Sequence, residues 1–281
     1  MSAAIYPTIA EMRAAVREAR GQGKTIGAVP TMGALHEGHA SLIRQAREET
    51  GFVVVTVFVN PIQFDRPEDL ERYPRDLATD VKLCERMGAD AVFAPSTDEM
   101  YPVKLLTSVD VTGVSDKLEG EFRPGHFKGV ATVVAKLLNI VAADRAYFGQ
   151  KDAQQLAVIQ KMVWDLNLPS EIVPVATVRE RDGLALSSRN RLLTDEQRRI
   201  APALYRALSE ARNKLQGGGS PAAAREAAML LLAETPEIQV QYLEVADAAT
   251  MQPVDRVAGP VRVAAAVWLG KVRLIDNVLV G

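Results

Sequence analysis

Residues 52–59 read FVVVTVFV, bounded by Gly51 on one side and Asn60-Pro61 on the other. A run this apolar and this rich in valine has strand character. It does not alternate polar with apolar residues, as a half-exposed strand would, so both of its faces have to be covered. That demand places it inside a parallel sheet with helices on the two sides. The neighbouring segments agree. Thr8 and Glu11 form a capping box for a helix that carries Ile9, Met12 and Val16 on one face. TIGAV (25–29) is a short strand, and a helix is expected from about Gly38 to Glu49. In residues 129–143, Val130, Val133, Val134, Leu137, Leu138 and Val141 recur at helical spacing with Lys136 opposite. RAYF (145–148) is a further strand, Asp152 opens the next helix with Gln155 three residues on, and EIVPVATV (171–178) is the last strand of the series. Alternating strands and helices over residues 1–178 predict an α/β fold, a Rossmann-like parallel sheet with helices on both faces.

The pattern then changes. Thr194 with Gln197 caps a helix through Ile200, Leu204, Leu208 and Leu215. QGGGSP (216–221) is a flexible break before a helix over about 222–234. IQVQYLEVA, VRVAAAVWL and VRLIDNVLV follow, the last two joined by a hairpin turn at Gly270-Lys271. Residues 179–281 are therefore expected to form a smaller α+β domain that closes over a site in 1–178. The chain has 281 residues, 48% of them hydrophobic, enough for two cores. A single cysteine, Cys84, excludes an intramolecular disulfide framework and suits a reducing compartment. A net charge of −2 and no basic stripe argue against a nucleic-acid partner. The first twenty residues mix acids with bases and lack the apolar stretch of a signal peptide, and FVVVTVFV is far too short to span a bilayer. The expectation is a soluble cytoplasmic protein without a membrane partner.

Phosphate motifs narrow the function. GQGKT (21–25) imitates the tail of a Walker A loop, but Glu18 stands where that loop needs glycine and a helix, not a strand, precedes it. It reads as a helix C-terminus. No G-x-G-x-x-G occurs. Two of the three histidines, His36 and His39, lie in PTMGALHEGHASLI (30–43). Their spacing is one short of the zinc motif H-E-x-x-H, and only Cys84 and His126 remain as soft ligands, so no metal site is expected in the protein itself. A lone pair of histidines would be read as satisfying a turn. Here they stand between a strand and a helix start, with Gly33 and Gly38 allowing close backbone approach. The helix N-terminus and the imidazoles together make a phosphate cradle without a Walker lysine.

Strand, loop, His-x-Gly-His and helix resemble the adenylate-forming nucleotidyltransferase superfamily, which includes the class I aminoacyl-tRNA synthetases. The longer string PTMGALHEGHASLI, with FVNPIQF (58–64), YFGQKDAQQLAVI (147–159) and VRERDGLALSSRN (178–190), resembles the pantoate–β-alanine ligase family over essentially the whole chain. Ala40 and Leu186 depart from the family's usual Leu and Met without removing a polar group. All four blocks follow strands, so their loops are expected at one sheet edge, where ligands of open α/β sheets bind.

The resemblance implies these roles. Met32, Gly33, Ala34, Leu35, His36, Glu37, Gly38 and His39 would bind ATP, with His36 and His39 stabilising phosphate charge and His39 acting as proton donor. Gly149, Gln150, Lys151 and Asp152 would also contact ATP, with Lys151 counted beside the histidines as catalytic, its charge stabilising the developing anion on the phosphates. Val178 would line the adenine pocket. Leu186, Ser187, Ser188 and Arg189 would clamp the triphosphate. Gln63 and Gln155 would meet pantoate, Gln63 β-alanine as well, and Asn60 would join them in binding substrate. Each has a plainer alternative: Asn60 and Gln63 in an ordinary turn, Lys151 as a solvated charge, Asp152 and Gln155 as a helix cap, LSSR as a polar linker. For Arg123, the carboxylate or phosphate region of the site and a surface loop stand even; His126 reads as structural. The implied reaction condenses pantoate with β-alanine through pantoyl adenylate, with ATP as substrate, Mg²⁺ on its phosphates and a homodimer as the assembly. Rival readings are adenylyl transfer to a phosphorylated acceptor and a nucleotide-sensing module that binds ATP without turnover. The uncharged Gln63 and Gln155 favour a hydroxy-acid pocket over a second phosphate site.

Overall fold

The computed structural model describes residues 2–281 and divides into two compact units. The first comprises residues 2–111, 122–150 and 158–176; the second, 112–121, 151–157 and 177–281.

The first unit is built on six parallel strands: β1 (Ala4–Tyr6), β2 (Ile26–Thr31), β3 (Phe52–Val57), β4 (Ala91–Phe93), β5 (Arg145–Gly149) and β6 (Glu171–Val175), in the spatial order β1-β4-β3-β2-β5-β6. The expected α/β architecture is present. Val29, Val53 and Val55 share a core with Leu42, Ile43 and Ala46 of the helix Glu37–Glu49. Ala28 and Val54, which alternate with them, are buried on the opposite face. Burial on both faces is what the unbroken run at 52–59 required, although the strand stops at Val57 and Phe58 begins the loop.

The carboxyl ends of β2, β3, β5 and β6 lie at one edge of the sheet, so the four motif-bearing loops start there. Chain order reverses across β2, whose neighbours are β3 and β5. Pro30 explains why the sheet parts at that point. Phe58 N–H bonds the Thr31 carbonyl, and Asp144 N–H bonds that of Ile26, so odd positions of β2 face β3 and even positions face β5. Pro30 thus lacks its donor on the β5 side, and the β2–β5 pairing ends at Ala28↔Ala146. A proline in a central strand is normally disfavoured; here it sits where the ladder opens. At the outer edge, Glu171 N–H bonds Asp144, which leaves position 174 facing outward, and Pro174 has no donor to offer a further strand.

The GQGKT segment behaves as a helix end: Gln22 N–H bonds the Glu18 and Ala19 carbonyls, and Gly23 takes φ +76°. Strands β1 and β4 and the helix Leu77–Met87 were not anticipated, because three-residue strands show no readable period.

In the second unit, β7 (Ile238–Asp247), β8 (Val261–Leu269) and β9 (Val272–Val280) form an antiparallel sheet. Gly270 at φ +60°, first of the two turn residues between Leu269 and Val272, supplies the bend of a type II′ hairpin. The helices Ala203–Gln216 and Pro221–Ala233 pack Leu204, Leu208, Ala211, Ala228 and Leu232 into a core with Val263, Val267 and Leu274. The single helix expected from Thr194 is two, Asp195–Ile200 and Ala203–Gln216, because Pro202 cannot continue the first. Segments 112–121 and 151–157 join this unit through buried polar groups. Gln154 accepts Glu119 N–H and donates to the carbonyls of Val114 and Lys117. Arg273 pairs with both oxygens of Glu119, which also accepts the Tyr242 hydroxyl. No helix among the described residues is long and apolar enough to cross a membrane.

Candidate active site

The loop after β2 enters the helix Glu37–Glu49 through an unusual cap. His36 is the N-cap residue, and its Nδ1 accepts the Gly38 N–H at 3.1 Å. The His39 side chain reciprocates: its Nδ1 accepts the His36 N–H at 3.3 Å. Two imidazoles thus do what Ser and Glu do in an ordinary capping box. The rings lie 4.3 Å apart between centroids. An Nδ1 that accepts a backbone N–H carries no proton, so each neutral ring is protonated on Nε2 and offers a donor there. The glycine between them lets the His36 ring fold over it. A Cβ at position 38 would stand 2.8 Å from His36 Cε1 and 3.0 Å from its Nδ1, so the ring would have to shift.

The preceding residues are held by a carboxylate that motif reading missed. Gly33 (φ +81°) and Ala34 (φ +53°) are both left-handed, a strained state for alanine. Asp80, in the first turns of Leu77–Met87 and only 2% exposed, accepts Ala34 N–H at 3.0 Å and Leu35 N–H at 2.7 Å. Burial pushes its carboxyl above the usual carboxylate range, against the pull of those two N–H groups. Gly33 N–H bonds Thr31 Oγ1, which in turn donates to the Thr56 carbonyl, so the loop is also tied to β3.

Asn60 and Gln63, after β3, are buried at 0% and 7% exposure. Asn60 Nδ2 donates to Gln63 Oε1 at 3.0 Å and to the Gly129 carbonyl at 3.2 Å. Its Oδ1 accepts the Tyr101 hydroxyl at 2.8 Å, and burial pushes that phenol up to about 12, which keeps it a donor. Gln63 Nε2 reaches Met32 Sδ at 2.8 Å, which joins the β2 and β3 loops. The helix His126–Val141 approaches closely because Gly129 has no side chain; a Cβ there would collide with the Ile62 carbonyl and stand 2.7 Å from Gln63 Cα. His126 does more than fill space. Arg123 Nη1 lies 3.1 Å from its Nε2 and can only donate, so Nδ1 carries the ring proton and donates to the Gln63 carbonyl at 2.9 Å. Within the first unit, Met32, Gly33, Ala34, Leu35, His36, Gly38, His39, Asn60, Gln63 and Arg123 thus form linked clusters. The Glu37 carboxylate instead pairs with Arg44 at the surface.

The second unit collects other predicted residues. A cleft there is lined by Lys151, Ser187, Arg189, Asn190, Tyr205 and Asp276. Its lining does not include Gln155, Val178, Leu186 or Ser188. Gly149 ends β5, and Gln150–Asp152 is a 3₁₀ turn that runs into the helix Ala153–Asp165. Asp152 immediately precedes the helix and Gln155 is its third residue, the positions expected of a cap, and the Asp152 carboxylate lies 3.8 Å from Lys151 Nζ. Ser187 caps a short 3₁₀ helix by accepting Arg189 N–H. Leu186 N–H bonds the Val178 carbonyl at the base of a hairpin turned at Gly183 (φ +93°), where any Cβ would meet the Tyr205 ring. Arg179, in the same hairpin, grips Asp276 with both nitrogens at 2.5 and 2.9 Å and stacks 4.0 Å over Tyr205.

The chain matches the family model described as pantoate-beta-alanine ligase over residues 4–279. It is 53% identical over 276 residues to a pantothenate synthetase of Moorella thermoacetica, and 54% identical over 275 residues to one of Cereibacter sphaeroides; each alignment covers 98% of both chains. The crystal structure of pantothenate synthetase from Thermus thermophilus superposes with a TM-score of 0.92 at 48% identity, covering 98% of each chain. The pantoate-beta-alanine ligase of Francisella tularensis, complexed with beta-gamma ATP and beta-alanine, gives 0.81 at 34% identity, covering 99% of this chain and 97% of that one.

Two substitutions test the geometry of the His-x-Gly-His loop. Gly38→Ala should drive the His36 ring off its cap and cost about 1 kcal/mol in denaturant unfolding. The His36 Nδ1 resonance should move in nitrogen NMR; an unmoved resonance contradicts the cap. Asp80→Asn should leave one of the Ala34 and Leu35 N–H groups facing an amide NH₂, at about 1–3 kcal/mol. Unchanged denaturation would remove Asp80 as the loop's clamp.

Proposed function

The chain belongs to the pantoate–β-alanine ligase family, and from that membership we propose that it condenses pantoate with β-alanine by way of pantoyl adenylate. The pantoate carboxylate attacks the α-phosphorus of ATP and pyrophosphate leaves. The β-alanine amine then attacks the acyl carbon, loses a proton, and AMP leaves with formation of the amide of pantothenate. The complexed Francisella relative supports carrying ATP and β-alanine to this chain as ligands.

One observation carries the reading: two imidazoles joined in a cap at a helix N-terminus, each with its proton on Nε2. Such donors, added to the helix dipole, suit the charge that grows on phosphate oxygens as pyrophosphate departs. His39 would donate from Nε2, His36 would act beside it, and Met32–His39 would supply the cradle. Lys151, Ser187 and Arg189, which share a cleft, suit the triphosphate. Gly149, Gln150, Asp152, Val178, Leu186 and Ser188 complete the proposed ATP contacts. Gln63, Asn60 and Gln155 are assigned to pantoate; neutral amides pair with hydroxyl and carboxylate without adding charge. Arg123 is assigned to the same acid, a reading supported by its contact with His126, which bonds the Gln63 carbonyl.

Mg²⁺ prefers oxygen ligands and retains water. The Asp152 carboxylate, 47% exposed in the Lys151 turn, has the right donor chemistry to hold it through water. Bound there, the ion would screen phosphate charge. A homodimer working in the cytoplasm completes the proposal.

The test is exchange of labelled pyrophosphate into ATP with pantoate present and β-alanine left out. Pantoate-dependent exchange is expected, and His39→Ala should slow it at least about a hundredfold, as for a lost charge stabiliser. Absence of exchange while ATP still binds would refute the adenylate route. A near-normal rate in His39→Ala would remove His39 from the mechanism.

A further inference from the structure

The Lys151 turn is held from the C-terminal strand by a side chain that no motif contains. Asn277 of β9, 6% exposed, donates from Nδ2 to the Lys151 carbonyl at 2.9 Å. Arg262, on the neighbouring strand β8 and 8% exposed, donates to Asn277 Oδ1 at 2.7 Å. A guanidinium has no acceptor, so this bond fixes which end of the amide is oxygen and forces the NH₂ toward Lys151. The backbone of Asn277 is engaged as well. Its N–H bonds Asp276 Oδ1 at 2.7 Å, and its carbonyl accepts from Arg179 at 3.2 Å. Arg179 belongs to the hairpin that leads into Ser187–Arg189, and its bidentate grip on Asp276 keeps that 4%-exposed carboxylate paired beside the cleft. Two adjacent residues of β9 therefore hold both the Lys151 turn and the Ser187 hairpin, the two segments whose side chains line one cleft.

We propose that Asn277 is a positioning residue for Lys151, with Arg262 as the lock that sets its amide and Asp276 as its partner on the Ser187–Arg189 side. The proposal rests on the ligase reading, in which Lys151 and this loop meet the triphosphate. A buried amide satisfied on every side could also serve sheet stability alone. The two roles separate in Asn277→Asp. Aspartate has the same shape, keeps an oxygen for Arg262 and adds a charge pair there, but it turns an acceptor toward the Lys151 carbonyl. The sheet keeps its lock while the Lys151 turn loses its anchor.

The experiment measures pyrophosphate exchange and thermal unfolding of the full chain as wild type, Asn277→Asp and Asn277→Ala. Both variants should raise the KM for ATP or lower kcat by at least about tenfold, the size of one lost buried hydrogen bond. The KM for pantoate should stay within about twofold, and Asn277→Asp should unfold within a few degrees of wild type. Wild-type kinetics in Asn277→Asp would overturn the proposal. So would a loss of stability accompanied by equal changes in the ATP and pantoate constants, which would assign Asn277 to the fold. If the wild type itself shows no exchange, the ligase reading fails and this proposal falls with it. Exchange in the wild type that is equally fast in both variants removes only the role of Asn277.

Discussion

The fold of His36 over Gly38 is the constraint on which the candidate site of the first unit depends. A helix start has unpaired N–H groups, and this protein satisfies two nearby donors with imidazole nitrogens instead of hydroxyl and carboxylate. The choice has a chemical consequence. A serine cap keeps its remaining hydroxyl proton close to the helix end, whereas an imidazole that accepts on Nδ1 donates from Nε2 on the far side of the ring. The two rings that make the cap are thus the ones to which charge stabilisation is assigned in the proposed reaction. The arrangement requires a side-chain-free position at 38, a strained loop at 33–34, and a buried carboxylate at 80 to hold that loop. Pro30 adds the opening in the sheet by withholding a donor from β5.

The second unit solves a different problem. Cationic and hydroxylic side chains on loops have to be held at useful positions, and loops are poorly held by apolar packing alone. Buried polar networks do this by direction. Arg179 with Asp276, Arg262 with Asn277, and Arg273 with Glu119 each fix a carboxylate or amide in one orientation. Breaking one partner of such a pair leaves an unsatisfied buried group, so these contacts specify geometry more than they add net stability.

Much of the fold was legible because the sheet is buried on both faces. Runs such as VVV at 53–55 and the helical stripe through Val130, Val134, Leu137 and Val141 have no other sensible use. The three-residue strands β1 and β4 were not legible, since their existence depends on partners distant in sequence, whereas the helix break had a local signal in Pro202 that the capping pattern at Thr194 overrode. The candidate site divides in the same way. His36, His39, Asn60, Gln63 and Lys151 stand in motifs, but the residues that hold them do not. Asp80 lies 45 residues from Leu35, and Asn277 lies 126 from Lys151. Each is an ordinary polar residue on an ordinary helix or strand. Asp80 carried one available signal, a carboxylate on the buried face of an otherwise amphipathic helix beside Leu83 and Cys84. His126, read as structural, holds the Gln63 carbonyl, a link that only the close approach permitted by Gly129 reveals.

The central claim is that the carboxylate of the acid substrate becomes bonded to the α-phosphorus of ATP. The most direct measurement follows heavy oxygen from carboxylate-labelled pantoate during complete turnover with ATP and β-alanine. Attack by the carboxylate followed by amide formation at the acyl carbon must leave one labelled oxygen in AMP. Mass spectrometry should find that label in AMP and none in pyrophosphate. AMP free of label, with amide still formed, would contradict the acyl-adenylate route and the role proposed for the paired histidines.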